Sequence, residues 1–160
     1  MTKKSCFVIC PLGDADSATR QRADALFAQV IRPVVEPLGY TLARADRVHD
    51  KLTIPDSISA HIFSDDLVIA DLTDCNPNVF YELGKRHAWG WNCVHLTRDV
   101  SRLPFDVRHH RVIQYDLNDP PGLDSVRKAL RLSIEALEAT PLQCPYPLTP
   151  QQVVELEGVL

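Results

Sequence analysis

Short apolar runs alternate with stretches of helical periodicity along this chain, and that alternation limits the folds open to it more than any other feature. Residues 6–10 (Cys-Phe-Val-Ile-Cys) are an unbroken apolar run, the pattern of a strand covered on both sides. Pro11, Leu12 and Gly13 close it with a turn. Ala23, Leu26, Phe27, Val30, Ile31, Val34 and Leu38 then recur at helical spacing and form one apolar stripe. Pro33 falls inside that stripe, so a kink or an early helix end is expected there. Gly39 stops the helix, and residues 40–45 give a second strand.

The pattern repeats. Thr53 reads as an N-cap with Pro55 in the first turn, and Ile54, Ile58 and Ile62 follow on one helical face until Asp65 and Asp66. Residues 67–70 form a third strand. Asn76-Pro77 opens the next helix, which is expected to run to about Gly90. Residues 92–97 and 111–115 supply two more strands, and Val126, Leu130, Ile134 and Leu137 mark a final amphipathic helix. Strands that alternate with helices across short joints form a parallel sheet with helices on both faces. Five strands in this sequence predict an α/β, flavodoxin-like doubly wound sheet of order 2-1-3-4-5. One domain over residues 1–139 uses the available length. Residues 140–160 read as a Pro-rich linker or tail that leads toward a further domain.

Charge and cysteine usage narrow the function. A net charge of −4 with no basic cluster argues against a phosphate-backbone binder, so no direct nucleic-acid partner is expected. No run of eighteen apolar residues occurs, and no membrane partner is expected. Five cysteines, an odd number, suit free thiols in a reducing compartment, which points to the cytoplasm. Cys6 and Cys10 would share one strand face as small core residues. Close spacings such as Cys-x-x-Cys are missing, so no metal site is expected.

In a doubly wound sheet the ligand crevice lies at the carboxyl ends of the strands, where the strand order reverses. That brings residues 11–14 together with residues 71–78. Asn76 is a good N-cap and Pro77 fits the first helical position, where its missing N–H costs nothing. Glu82 follows in this helix, with Asn78 four residues before it and Arg86 four residues after it. Val79, Leu83 and Gly84 are expected to face the sheet, which sets Glu82 at the border of the crevice beside Asn78 and Tyr81. A fixed carboxylate there suits cleavage of an N-glycosidic bond, because departure of the base leaves positive charge on the sugar. The plainer reading of Glu82 is a solvated helix residue paired with Arg86.

Residues 64–88 (Ser-Asp-Asp-Leu-Val-Ile-Ala-Asp-Leu-Thr-Asp-Cys-Asn-Pro-Asn-Val-Phe-Tyr-Glu-Leu-Gly-Lys-Arg-His-Ala) closely resemble bacterial TIR-like domains of the nucleoside 2-deoxyribosyltransferase-like group. Residues 7–13, Gly39-Tyr40, residues 44–46, residues 103–108 and residues 111–115 extend the resemblance, which covers about residues 5–138. It implies a flavodoxin-like fold and a nucleotide-sugar ligand. It implies cleavage of NAD+ as substrate, with no cofactor, or transfer of deoxyribose between bases, with Glu82 as the essential carboxylate in either case. It further implies an antiviral effector that works as a homo-oligomer or filament, with a fused cyclic-nucleotide-sensing domain. Asp71 and Asn78 would touch ribose or nucleotide, and Pro11, Leu12 and Gly13 would line the base or nicotinamide pocket. Tyr81 would neighbour the sugar, while Arg44 and Asp46 would reach a phosphate or ribose from the second strand.

Rival folds of this class are disfavoured by their missing signatures. A receiver domain needs an acidic pair after the first strand, where this chain has Pro-Leu-Gly, and neither Gly-x-Gly-x-x-Gly nor a P-loop is present. A nucleotide-binding or assembly module without turnover remains the alternative to an enzyme.

Overall fold

The structure is a computed structural model and describes residues 3–47 and 54–141. Thr53, the expected N-cap, and residues 142–160 of the expected tail lie outside them. Five parallel strands form one sheet in the order β2-β1-β3-β4-β5, as expected: β1 (Lys4–Ile9), β2 (Tyr40–Arg44), β3 (Leu67–Asp71), β4 (Cys93–Thr97) and β5 (Val112–Gln114). β1 pairs with β2 from Lys4 opposite Tyr40 and with β3 from Cys6 opposite Leu67, so the switch point lies between β1 and β3.

Alternation along the strands divides the core in two. Cys6, Val8, Leu67, Ile69, Val94, Leu96 and Ile113 point to one face, where α1 (Ala18–Leu26), α2 (Arg32–Val35) and α6 (Pro120–Ala139) cover them. Phe7, Ile9, Val68, Ala70 and Cys93 point to the other, beneath α3 (Ile54–Ser64) and α4 (Pro77–Ala88). A short α5 (Phe105–Arg108) follows β4. Cys6 and Cys10 do share a face, and both belong to the first cluster.

Pro33 does not end its helix. A π turn over Phe27–Ile31 joins α1 to α2, with the Arg32 N–H donating to Phe27 O. The wider turn lets the helix pass the proline, which cannot donate to Gln29 O four residues back. That carbonyl instead accepts a 2.7 Å hydrogen bond from Arg127 Nε on α6. At the far end Gly39 takes φ 89°, the left-handed cap that turns the chain into β2. Gly84, expected to let α4 approach the sheet closely, faces outward with nothing within 4 Å of where a Cβ would stand. Val79 and Leu83 alone make that approach.

Candidate active site

The carboxyl ends of the strands converge on Cys10, the residue after β1. Burial pushes its thiol up to about 12; Arg44 opposes that shift, while Asp71, Asp46 and Glu82 add to it. Four residues singled out from the sequence thus lie close enough to one sulfur to act on it electrostatically. They come from the end of β2, the turn after it, the end of β3 and the middle of α4. Pro11, the next residue, is buried, Leu12 is partly buried and Gly13 is exposed.

α4 begins where the sequence places it. Asn76 Oδ1 accepts from the backbone N–H of Asn78 at 3.0 Å and of Val79 at 3.3 Å, and Pro77 occupies the first turn. The carboxylate of Glu82 is partly buried and makes no hydrogen bond or ion pair with any described residue. Burial raises its pKa above the ordinary value, and Lys85 partly offsets this. The ion pair with Arg86, the plainer reading of Glu82, does not form. Arg86 is fully buried and turned away, donating to Ile62 O at 2.7 Å and through Nη2 to Asn92 O at 2.9 Å. Asn78 is exposed, and Tyr81 is 70% exposed with Lys85 Nζ 4.4 Å from its ring centroid.

Asp71 ends β3 in a closed hydrogen-bond network. Its Oδ1 accepts from Thr73 N at 3.1 Å and from Thr73 Oγ1 at 2.6 Å, while Oδ2 accepts from Tyr115 O–H at 3.1 Å. Burial raises the Asp71 carboxyl despite these donors and the charge of Arg22. Arg44 and Asp46 are mutually satisfied. Burial works against the Arg44 charge, but hydrogen bonds to Asp46 and Asp24 outweigh it and raise its pKa. Asp46 is lowered for the reciprocal reason: Arg44 and Arg20 overcome the upward push of burial. Arg20 also donates to the carbonyls of Leu12 and Gly13, and so fixes the turn after β1.

Between β3 and α4 the backbone is strained. Asp74 (φ 62°) and Cys75 (φ 50°) are successive non-glycine residues in the left-handed region, which costs on the order of 1–2 kcal/mol per residue. Leu72 O accepts from Cys75 N–H, and the Cys75 thiol donates to Arg102 O at 3.3 Å, two contacts that hold the turn. Outliers of this kind cluster where a site must be aimed.

Sequence reasoning missed three residues here. Thr73 and Tyr115 join β3 to the end of β5. Arg22 from α1 reaches the same end, its Nη2 3.0 Å from Asp74 Oδ2 but without hydrogen-bond geometry, and its Nε–H has no acceptor among the described residues. No local spacing announces them, because each meets Asp71 only through the topology. A concavity of about 600 Å³ opens beyond them at the ends of β3, β4 and β5 and does not include Glu82. Asp74, Asp99, Asp116, Asp119, Arg98 and Arg102 border it. It shares residues 72–75 with the approach to α4.

His109 and His110 do not reach this end of the sheet. His110 lies against His87 and His95. Trp89 and Trp91 contact each other at 6.0 Å on the surface, and Trp89 meets Phe63 edge-on. Among the described residues no helix is long and apolar enough to cross a membrane.

No protein-family model matches this sequence, and no curated protein matches it either. Among solved structures, a conserved protein from Enterococcus faecalis V583 is similar at 17% identity and a TM-score of 0.52, over 84% of this chain and 99% of that one. A 2-deoxyribosyltransferase from Leishmania mexicana is similar at 18% identity and a TM-score of 0.46, over 60% of this chain and 65% of that one. At 17% identity the likeness to the Enterococcus faecalis protein concerns the fold alone.

Proposed function

We propose that this protein breaks an N-glycosidic bond, with the Glu82 carboxylate facing the developing sugar cation, and that its substrate is NAD+, cleaved between nicotinamide and ribose. One observation carries this reading. Glu82 is a partly buried carboxylate with no hydrogen-bond or ion-pair partner among the described residues, and its charge acts on Cys10, the residue after β1. A desolvated, unpaired anion weakens a fold, and its task is to meet positive charge that arises only during reaction. Nicotinamide leaves as a neutral base without needing a proton, so a single carboxylate suffices. The resemblance of residues 64–88 to TIR-like and deoxyribosyltransferase-like segments supports the same assignment. Arg22, ion-paired with Asp74 but with no acceptor for its Nε–H among the described residues, brings a guanidinium to the end of β3 that suits the phosphates of a dinucleotide.

A second reading, transfer or hydrolysis of an uncharged nucleoside, has its own support. Four aspartates against two arginines border the large concavity, a balance that repels phosphate and accepts ribose hydroxyls. Action as an antiviral effector, assembly into oligomers or filaments, and regulation by an attached sensor of cyclic nucleotides follow from the resemblance alone and belong to the same proposal.

The test is incubation with NAD+ at high protein concentration and chromatography for free nicotinamide, with Glu82→Gln in parallel. We expect release by the wild-type protein and a loss of about 10²–10³-fold in the variant. Equal release by both would remove Glu82 from the mechanism. A deoxynucleoside supplied with a second free base tests the transferase reading under the same conditions.

A further inference from the structure

At the opposite end of the sheet, far from the strand termini discussed above, three metal-ligating side chains come together. His87 ends α4, while Cys93 and His95 lie two apart on β4 and so project to the same face. Their ligand atoms all lie within 4.8 Å of one another, and the two imidazole Nε2 atoms are 2.8 Å apart. His95 Nδ1 lies 3.4 Å from Arg111 O. A carbonyl only accepts, so Nδ1 carries the proton and Nε2 presents its lone pair to the cluster, the orientation that a backbone acceptor gives a ligating histidine. The His110 ring lies tilted beside them, its centroid 4.6 Å from that of His87 and 5.5 Å from that of His95.

We propose that His87, Cys93 and His95 bind one divalent transition-metal ion of the zinc class, with His110 or water completing a tetrahedral set. Bond lengths of about 2.0 Å to nitrogen and 2.3 Å to sulfur put tetrahedral ligand atoms roughly 3.3–3.7 Å apart. The imidazole nitrogens, 2.8 Å apart, therefore part by about 0.5 Å, and the thiol, within 4.8 Å of both, closes by up to about 1 Å. Two imidazoles and a thiolate favour zinc-like ions over calcium or magnesium. On coordination the Cys93 thiol releases its proton to solvent. The ion would fasten the carboxyl end of α4 to β4, and the inference stands independently of any role for Glu82. Spacing arguments built on Cys-x-x-Cys overlook it, because His-x5-Cys-x-His draws on a helix, a turn and a strand.

Untagged full-length protein stripped with chelator and titrated with Co²⁺ provides the test. We expect one equivalent bound per chain, a thiolate-to-cobalt charge-transfer band, and a thermal midpoint raised by Zn²⁺. Cys93→Ser should abolish the band and His87→Gln should weaken binding at least tenfold. Cys75→Ser should keep both. Far-UV circular dichroism verifies that each variant is folded. Binding well below one equivalent, a cobalt spectrum without a thiolate band, or a band that survives Cys93→Ser would overturn the proposal.

Discussion

Glu82 and Asp71 are both carboxyls that burial pushes upward, yet they differ in what surrounds them. Asp71 collects three hydrogen bonds from Thr73 and Tyr115, whereas Glu82 collects none among the described residues. A carboxyl whose pKa is raised by folding stabilises the protonated form, so stability falls as pH rises from its ordinary value through the raised one. Above that window the ionised Glu82 weakens the fold. Glu82→Gln should therefore unfold at higher urea concentration than the wild type at pH 7, by roughly 0.5–2 kcal/mol. The gain should vanish as pH falls below the usual glutamate range of about 4, where both proteins carry a neutral group. Asp71 is unchanged in this pair and cancels. A variant less stable than wild type at pH 7, in urea titrations across this range, would show that Glu82 has a structural partner after all.

α4 shows both what an element reveals in its sequence and what it hides. Its cap, its proline and the apolar pair Val79 and Leu83 are local, and each falls where spacing places it, whereas Gly84 turns outward. Arg86 is different. Four residues advance a helix by about 400°, so each i,i+4 step drifts about 40° around the axis, and Asn78 and Arg86 end about 80° apart. That drift carries Arg86 from the exposed side of the helix to the buried one, where it caps Ile62 O at the end of α3 and sits 5.3 Å from the Trp91 ring centroid. The i,i+4 rule alone could not separate this from a surface pair with Glu82. In the same way, Pro33 signals an interruption but not the π turn and Arg127 that absorb it. Replacing Arg86 by Met leaves Ile62 O without this donor and should cost about 1–3 kcal/mol, read as a fall of several degrees in the thermal midpoint. The pH profile of any glycosidase activity should stay where it is. A profile that moved would mean that Arg86 acts on Glu82.

Across the whole molecule, strand order was legible because apolar runs and short joints leave few topologies open. Who meets whom at the strand ends was not, since Arg22, Asp71 and Tyr115 approach only once α1, β3 and β5 are assembled. The assembled end is divided. Glu82 and Cys10 lie at the β1–β3 switch point, and the large acid-rimmed concavity lies toward β5 with the Asp71 network at its edge. Arg22 reaches the end of β3 between them, and its charge acts on both Asp71 and Tyr115. A dinucleotide carries a pyrophosphate that a nucleoside lacks, so the two candidate substrates should respond differently to this one side chain. If NAD+ is the substrate, Arg22→Gln should raise its KM by about 10–100-fold, the worth of a hydrogen bond to a charged group, with a smaller effect on kcat. Added salt should raise the wild-type KM and leave the variant nearly unaffected. For a nucleoside substrate neither change should appear, since no phosphate is present to engage the guanidinium. Steady-state kinetics on both substrates at two ionic strengths would decide it. An unchanged KM for NAD+ would remove Arg22 from phosphate recognition and shift the balance toward the nucleoside reading that the four aspartates support.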